Sequence, residues 1–346
     1  MTCRPSGASH VPAFGTLGYL AILLIVSLGV LAPTDLALAG GVGIERAEFL
    51  TDEGETVEMT VFYPSEVPLS STVVGLRDVT GRVGAELKFG RFPLILISHD
   101  SRGDMLSHHG MASHLAMRGF VVAAVQHSME NKANTAGGGA YVRARQISAA
   151  IDFLIKDNIG IGIDVEQIGI VGHGAGSITA LVLAGAVPDL GRATHCAQRD
   201  GIGELCFNTE PTALPQFHLP PRDQRIRAAL LFAPHGSAFP DEPLPVAIPV
   251  GIIAAQSERA FPIETNVAPL SDNLPLLTFV EIIPLANSNI FLAPCGARQT
   301  GRGNDECVDP PMVDRQREHA FINDYAIAFF TYGFRIEYSH QAETEN

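Results

Sequence analysis

Gly172-His173-Gly174-Ala175-Gly176-Ser177 is the segment whose residue types and spacing point most directly to chemistry. The apolar run Ile168–Val171 leads into it, and Ile178–Ala186 suits a helix after it. A strand, a sharp glycine-bracketed turn and a helix form the frame of a nucleophile elbow, G-x-S-x-G, whose central serine attacks a carbonyl carbon. Glycines at its first and fifth positions let the turn close and the helix pack near the strand. The frame is present here, but its central residue is Gly174, which has no attacking atom.

Two other chemistries compete for the same region. Ser177 lies one helical turn beyond Gly174, and Ser101 and Ser257 lie in strand-end loops. Any of them needs a base within hydrogen-bond reach and an oxyanion site beyond it. The plainer role for Ser177 is a hydrogen bond within its helix start. His99, Asp100, His127, His173 and His235 all follow apolar runs, and imidazoles with a carboxylate are good zinc ligands. Their plainer role is to hold turns by bonding backbone. His108, His109 and His114 are read as packing or solvent-side residues.

The elements that must carry these residues alternate. Glu58–Tyr63 is rich in strand formers and meets Pro64, as an early antiparallel strand does. Pro93–Ser98, Val121–Val125, Ile168–Val171, Ala228–Phe232, Val250–Ala254 and Leu277–Ile283 are apolar runs without alternation, the pattern of strands covered on both faces. Ile147, Ile151, Leu154 and Ile155 form one helical stripe. Met105–Arg118, Ile178–Ala186 and a segment around Ile322, Tyr325 and Phe329 also suit helices. This order predicts an α/β protein with a doubly wound, mostly parallel sheet and helices on both faces. Sites in such sheets form at the carboxyl ends of the strands.

Composition narrows the function classes. The 346 residues carry 23 Lys and Arg against 37 Asp and Glu, a net charge of −14, with 46% hydrophobic side chains. That is globular composition, and its acidity argues against binding nucleic acid or an anionic membrane through bulk charge. Residues 1–39 read as a secretory signal: Arg4, the apolar run Leu17–Ala32, a break at Pro33, and Ala37-Leu38-Ala39 before a cleavage point. An uncleaved membrane anchor is the other reading of that run. Residues 40–346 are expected to form one domain, secreted or periplasmic. Cys196, Cys206, Cys295 and Cys307 remain after cleavage, and an even count in an exported chain points to disulfides. We expect the local pairing, Cys196–Cys206 and Cys295–Cys307. A zinc site lacks any C-x₂-C knuckle.

Five segments resemble one family, in its order. FPLILISHDSRGD (92–104) resembles its FPLVVLSHGSGG, and VVAAVQH (121–127) its strand ending in a DHPG-like turn. GIVGHGAGS (169–177) resembles GVAGHSFGG, NSNIFLAPC (287–295) resembles GHFSFLAPC, and CVDPPMVDR (307–315) resembles CxDPPGVDR. The chain thus resembles the dienelactone-hydrolase-like α/β-hydrolases, in the branch related to platelet-activating-factor acetylhydrolases, across most of residues 44–333. The resemblance implies an α/β-hydrolase fold, a Ser-Asp-His triad in that order and no organic cofactor. Its nucleophile position is Gly174, its acid position Glu258 and its base position Ser288. His99, His127 and His173 fall where the family also carries histidine, which favours their turn-holding role. The oxyanion-hole region comprises Asp100, Ser101 and Ala175, and the family's glycine is Asp100 here. A carboxylate ~4 Å from a developing oxyanion costs on the order of 4 kcal/mol at an effective dielectric of ~20, if it points inward.

These readings converge on an exported α/β-hydrolase-like protein, inactive at the usual triad and kept for binding a small acyl or ester-like ligand or a partner protein. An ester hydrolase using Ser177 and a metal-dependent hydrolase using strand-end histidines are the alternatives. Ala136–Gly139 is read as a loop over the pocket, lacking the G-K-[ST] ending of a phosphate loop. Residues 187–225 are read as an irregular insertion, either covering the cleft or pinned on the surface. Arg143 and Arg145 are expected to serve surface ion pairs.

Overall fold

The computed structural model describes residues 40–127, 139–156, 159–189, 222–259, 261–300 and 305–344, with side chains to residue 335. The signal reading, the Cys196–Cys206 pairing, most of the insertion and most of the Ala136–Gly139 loop lie outside these residues.

Eleven strands are present among the described residues: β1 (Gly41–Leu50), β2 (Thr56–Ser65), β3 (Ser71–Val74), β4 (Arg77–Thr80), β5 (Arg82–Val83), β6 (Phe92–Ser98), β7 (Val121–Val125), β8 (Ile163–His173), β9 (Ile226–Phe232), β10 (Val250–Ala255) and β11 (Leu277–Ile283). Nine form one sheet in the order β11-β10-β9-β8-β6-β7-β2-β1-β5, and β3 and β4 pair separately. β6 to β11 run parallel, while β2 pairs antiparallel with both β1 and β7. The helices are α1 (His109–Met117), α2 (Gly139–Ile155), α3 (Ala175–Ala184), α4 (Ile263–Asn266), α5 (Ala268–Asn273) and α6 (Arg315–Thr344).

The predicted strands all form, for a reason visible in β8. Ile168 and Ile170 pack into the core that holds Ile147, Ile151 and Leu154 of α2 and Leu181 of α3. Gly169 faces the other way, toward α6. A Cβ there would stand 2.5 Å from the Phe330 ring, so the absence of a side chain lets α6 lie close on the sheet. Both faces are covered, and alternation vanishes.

β11 departs from the expectation. Its burial alternates, with Val280 and Ile282 36% and 39% exposed, because it is the edge strand and only one face is covered. On that face Phe279 meets Tyr325 and Phe329 of α6, at 5.5 and 5.8 Å between ring centroids. Met105–Arg118 is helical only from His109, after a run of turns. β1 and the β3–β4 hairpin carry no strong sequence signal. No helix among the described residues is long and apolar enough to cross a membrane.

Cys295 and Cys307 are bonded, with Cα atoms 5.6 Å apart. The bridge closes the segment after the 3₁₀ turn Ser288–Phe291. Replacing both cysteines with serine should cost about 2–3 kcal/mol in the loop-entropy account. The readout is the urea midpoint; no shift on reduction or substitution would contradict it.

Candidate functional site

Gly172–Ser177 form a sharp turn between β8 and α3, as the elbow frame predicts. Gly174 sits between β8 and α3 at φ 54°, ψ −114°, a conformation L side chains rarely adopt. Its N–H donates to Phe232 O at 3.0 Å, tying the turn to β9. The flanking glycines are demanded by contact: a Cβ on Gly172 would strike Gly176 O, and one on Gly176 would strike Ser98 O.

The room a side chain at residue 174 would fill holds the carboxyl group of Asp100. A Cβ built there would overlap Asp100 Oδ1 and Cγ. Oδ1 accepts the Ala175 N–H at 2.8 Å. That amide, next after the nucleophile position, is the donor an elbow offers to an oxyanion. Asp100 therefore points inward. Burial raises its pKa, but His235, His173 and the Ala175 and Ser101 amides outweigh that and hold it at about 2. The carboxylate is ionised throughout the physiological range.

Around it lie five buried histidines. His99 Nδ1–H donates to Asp100 O at 2.7 Å, and its Nε2 accepts the His127 N–H at 3.2 Å. His127 Nδ1 donates to Gln146 Oε1 at 2.7 Å, and its Nε2 accepts from Ser98 Oγ at 2.9 Å. These partners fix neutral tautomers; His99 bonds backbone at both nitrogens, whereas both ring bonds of His127 go to side chains. His108 donates from Nδ1 to Phe291 O at 2.9 Å and meets the His173 ring edge-on at 5.1 Å. His173 has no hydrogen-bond partner at either nitrogen, and His235 has none at Nδ1. Burial pushes all five below their ordinary value, His99 and His235 to about 4. Among the described residues no group of three or more His, Cys, Asp or Glu is arranged to hold a metal ion.

Arg143 corrects the sequence reading. It is buried rather than exposed, and Nη1 donates to His99 O at 2.7 Å. Burial lowers its pKa to about 10, and the charge of Asp100 opposes that fall. The apolar stripe of α2 carried no sign of it, because a long side chain can reach the strand end from beside that stripe. Arg145 does make the expected ion pair, with Glu53 at 2.9 Å.

The positions expected to hold acid and base meet. Glu258 Oε2 accepts the Ser288 N–H at 3.0 Å. Glu258 follows β10 and Ser288 opens its 3₁₀ turn, so the loops expected to present acid and base are adjacent. Ser177 is fully buried. Its hydroxyl donates to Gly174 O at 2.5 Å, within the helix start, and accepts the N–H of His235 beyond β9 at 3.0 Å. Ser101 is partly exposed beside Asp100.

The overlap at residue 174 and the buried imidazoles each have a measurable effect on stability. Gly174→Ser should destabilise by about 2–4 kcal/mol through strain and overpacking. Adding Asp100→Gly should recover much of that loss in a denaturation double-mutant cycle; strict additivity would refute the overlap. Acid should also destabilise the fold in two stages. The buried imidazoles are neutral when folded but protonate near pH 6.5 when unfolded, so stability falls as pH drops from about 6.5 toward 4. The contribution of Asp100 is present above about 4 and lost as pH falls toward 2. Urea midpoints measured across that range check both.

No family model matches the chain, and no curated protein matches it in sequence. Among solved structures, a ferulic acid esterase from Streptomyces cinnamoneus aligns at a TM-score of 0.59 and 18% identity, covering 88% of this chain and 93% of that one. Likeness at that identity concerns the fold, and it agrees with the mostly parallel sheet, the helices and the elbow between β8 and α3. The chain has an α/β-hydrolase fold.

Proposed function

We infer that this protein is an exported relative of the dienelactone-hydrolase-like enzymes that binds a small ligand in the old cleft and does not cleave esters through the usual triad. One observation carries the reading: an ionised Asp100 carboxylate stands where a nucleophile's side chain would be and takes the Ala175 amide. An ester oxygen turning negative there would have to displace a charge of its own sign. Preorganised donors facing the oxyanion are usually the largest single term in such catalysis. Loss of triad members costs roughly 10⁴–10⁶ in rate, and here Gly174 and Ser288 replace nucleophile and base.

The Ser177 alternative gains no support, since both of its hydrogen bonds go to backbone groups in a fully buried position. Export is supported by the layout of residues 1–39 and by the Cys295–Cys307 bridge, which suits an oxidising compartment.

The purified protein should neither turn over aryl acetates above background nor react with a fluorophosphonate probe. Gly174→Ser, Ser288→His and Asp100→Gly together should produce measurable ester hydrolysis, and the first two without the third should yield much less. Probe labelling of the natural chain that disappears in Ser177→Ala would overturn the reading.

A further inference from the structure

Asp100 opposes acyl chemistry at this turn, but the same carboxylate is a nucleophile of another kind. Its position is set by contact. A Cβ on Gly174 would overlap Oδ1 and Cγ, so the carboxyl group lies where the side chain of an elbow serine would begin. Asp100 is partly exposed, whereas its neighbour His99 is buried. Oδ1 is held by the Ala175 N–H at 2.8 Å. The Ser101 amide also steadies the group. A carboxylate oxygen that accepts one N–H keeps a second lone pair. With Oδ1 on the Ala175 amide, Oδ2 is the oxygen left to attack.

Carboxylates serve as covalent nucleophiles. At a carbonyl carbon this one is opposed, because the oxyanion would share an amide with a like charge. At a saturated carbon bearing a halogen, no oxyanion forms. The Oδ2 lone pair makes the new C–O bond, the carbon–halogen bond breaks, and its electrons leave with the halide. Negative charge moves off Asp100 instead of gathering beside it. A departing halide needs a donor. Arg143 is 8% exposed, its Nη1 is bonded to His99 O, one residue from Asp100, and its Nη2 has no hydrogen-bond partner among the described residues. The product is an alkyl ester of Asp100 whose carbonyl oxygen is Oδ1, already on the Ala175 amide. When water adds to Cγ, the oxyanion develops on that oxygen, where the donor is in place. The Cγ–Oδ2 bond then breaks. One water proton goes to the departing alkoxide and the other to solvent, and the carboxylate is restored with one water oxygen in it. Ser288 at the expected base position has no imidazole to activate that water, so ester hydrolysis is the slow step.

We propose that Asp100 is a nucleophile toward small alkyl halides, displacing halide at a saturated carbon and holding the alkyl group as an ester at the elbow. This rests on reading the cleft as a binding site for a small ligand, and it makes that ligand a substrate.

The test incubates the full folded protein with 1-bromobutane and, separately, with butyl acetate. With 1-bromobutane the intact mass should rise by one butyl group, and peptide mapping should place that group on Asp100. Bromide release should equal or exceed the labelling. In heavy-oxygen water, the butanol of a single turnover should carry ordinary oxygen, taken from Asp100, while the carboxylate gains the heavy isotope. Asp100→Asn should lower bromide release by about a hundredfold or more, as loss of a nucleophile does. Its amide oxygen still accepts the Ala175 N–H, and a thermal melt checks the fold. Labelling confined to other residues, heavy oxygen in the first butanol, or no bromide release above that of unfolded protein each overturns the proposal, whether or not the variant folds. Undiminished release in folded Asp100→Asn overturns it too. Cleavage of butyl acetate would count against the reading of a cleft that does not cleave esters, whereas the label on Asp100 decides the proposal separately.

Discussion

One hydrogen bond organises this site: the Ala175 amide, placed by the elbow, ends on Asp100 Oδ1. An amide proton in that position suits one negative oxygen. In a working hydrolase that oxygen appears on the substrate only as the transition state forms. Here that proton goes to Asp100 Oδ1. The exchange is sterically coherent, since a carboxyl group fits beside residue 174 only when that residue has no Cβ. Gly174 and Asp100, far apart in sequence, are thus sterically coupled.

The rest of the strand-end chemistry protects that arrangement. Arg143 and His99 fix the backbone on which Asp100 is mounted, through bonds to the carbonyls of residues 99 and 100. His127 secures His99 and Ser98, and Gln146 secures His127. Burial makes these imidazoles costly to protonate, so the chain stays neutral at neutral pH. The same packing of loops extends to the contact between Glu258 and the Ser288 amide.

Much of this was legible in the residues. Buried parallel strands announce themselves by apolar runs, and the elbow by its bracketing glycines; both depend on local sequence. The edge position of β11 was only partly legible: Leu277–Ile283 carries Thr278 and Glu281, unlike the central runs, but Val280 and Ile282 lie on its exposed face, and only its neighbours reveal that face as open. The burial of Arg143 was hidden because a charged side chain in a helix reads as solvent-facing unless its distant acceptor, His99 O, is known. The direction of Asp100 was open for the same reason. Its position in sequence named the danger to an oxyanion, but its orientation depends on a hole left on another strand.

Gly169 and Phe330 extend this dependence to the far side of the sheet. The ring of Phe330 occupies the volume that a methyl group on residue 169 would need, 2.5 Å from the ring. Neither position is free to drift alone: a larger residue in β8 would lever the C-terminal helix off the sheet, and a smaller one at 330 would open a void above β8. Substitutions at these two sites should therefore travel together through descent. A lineage that changed one and kept the other would have had to re-seat α6, and with it the packing around Phe279 at the open edge.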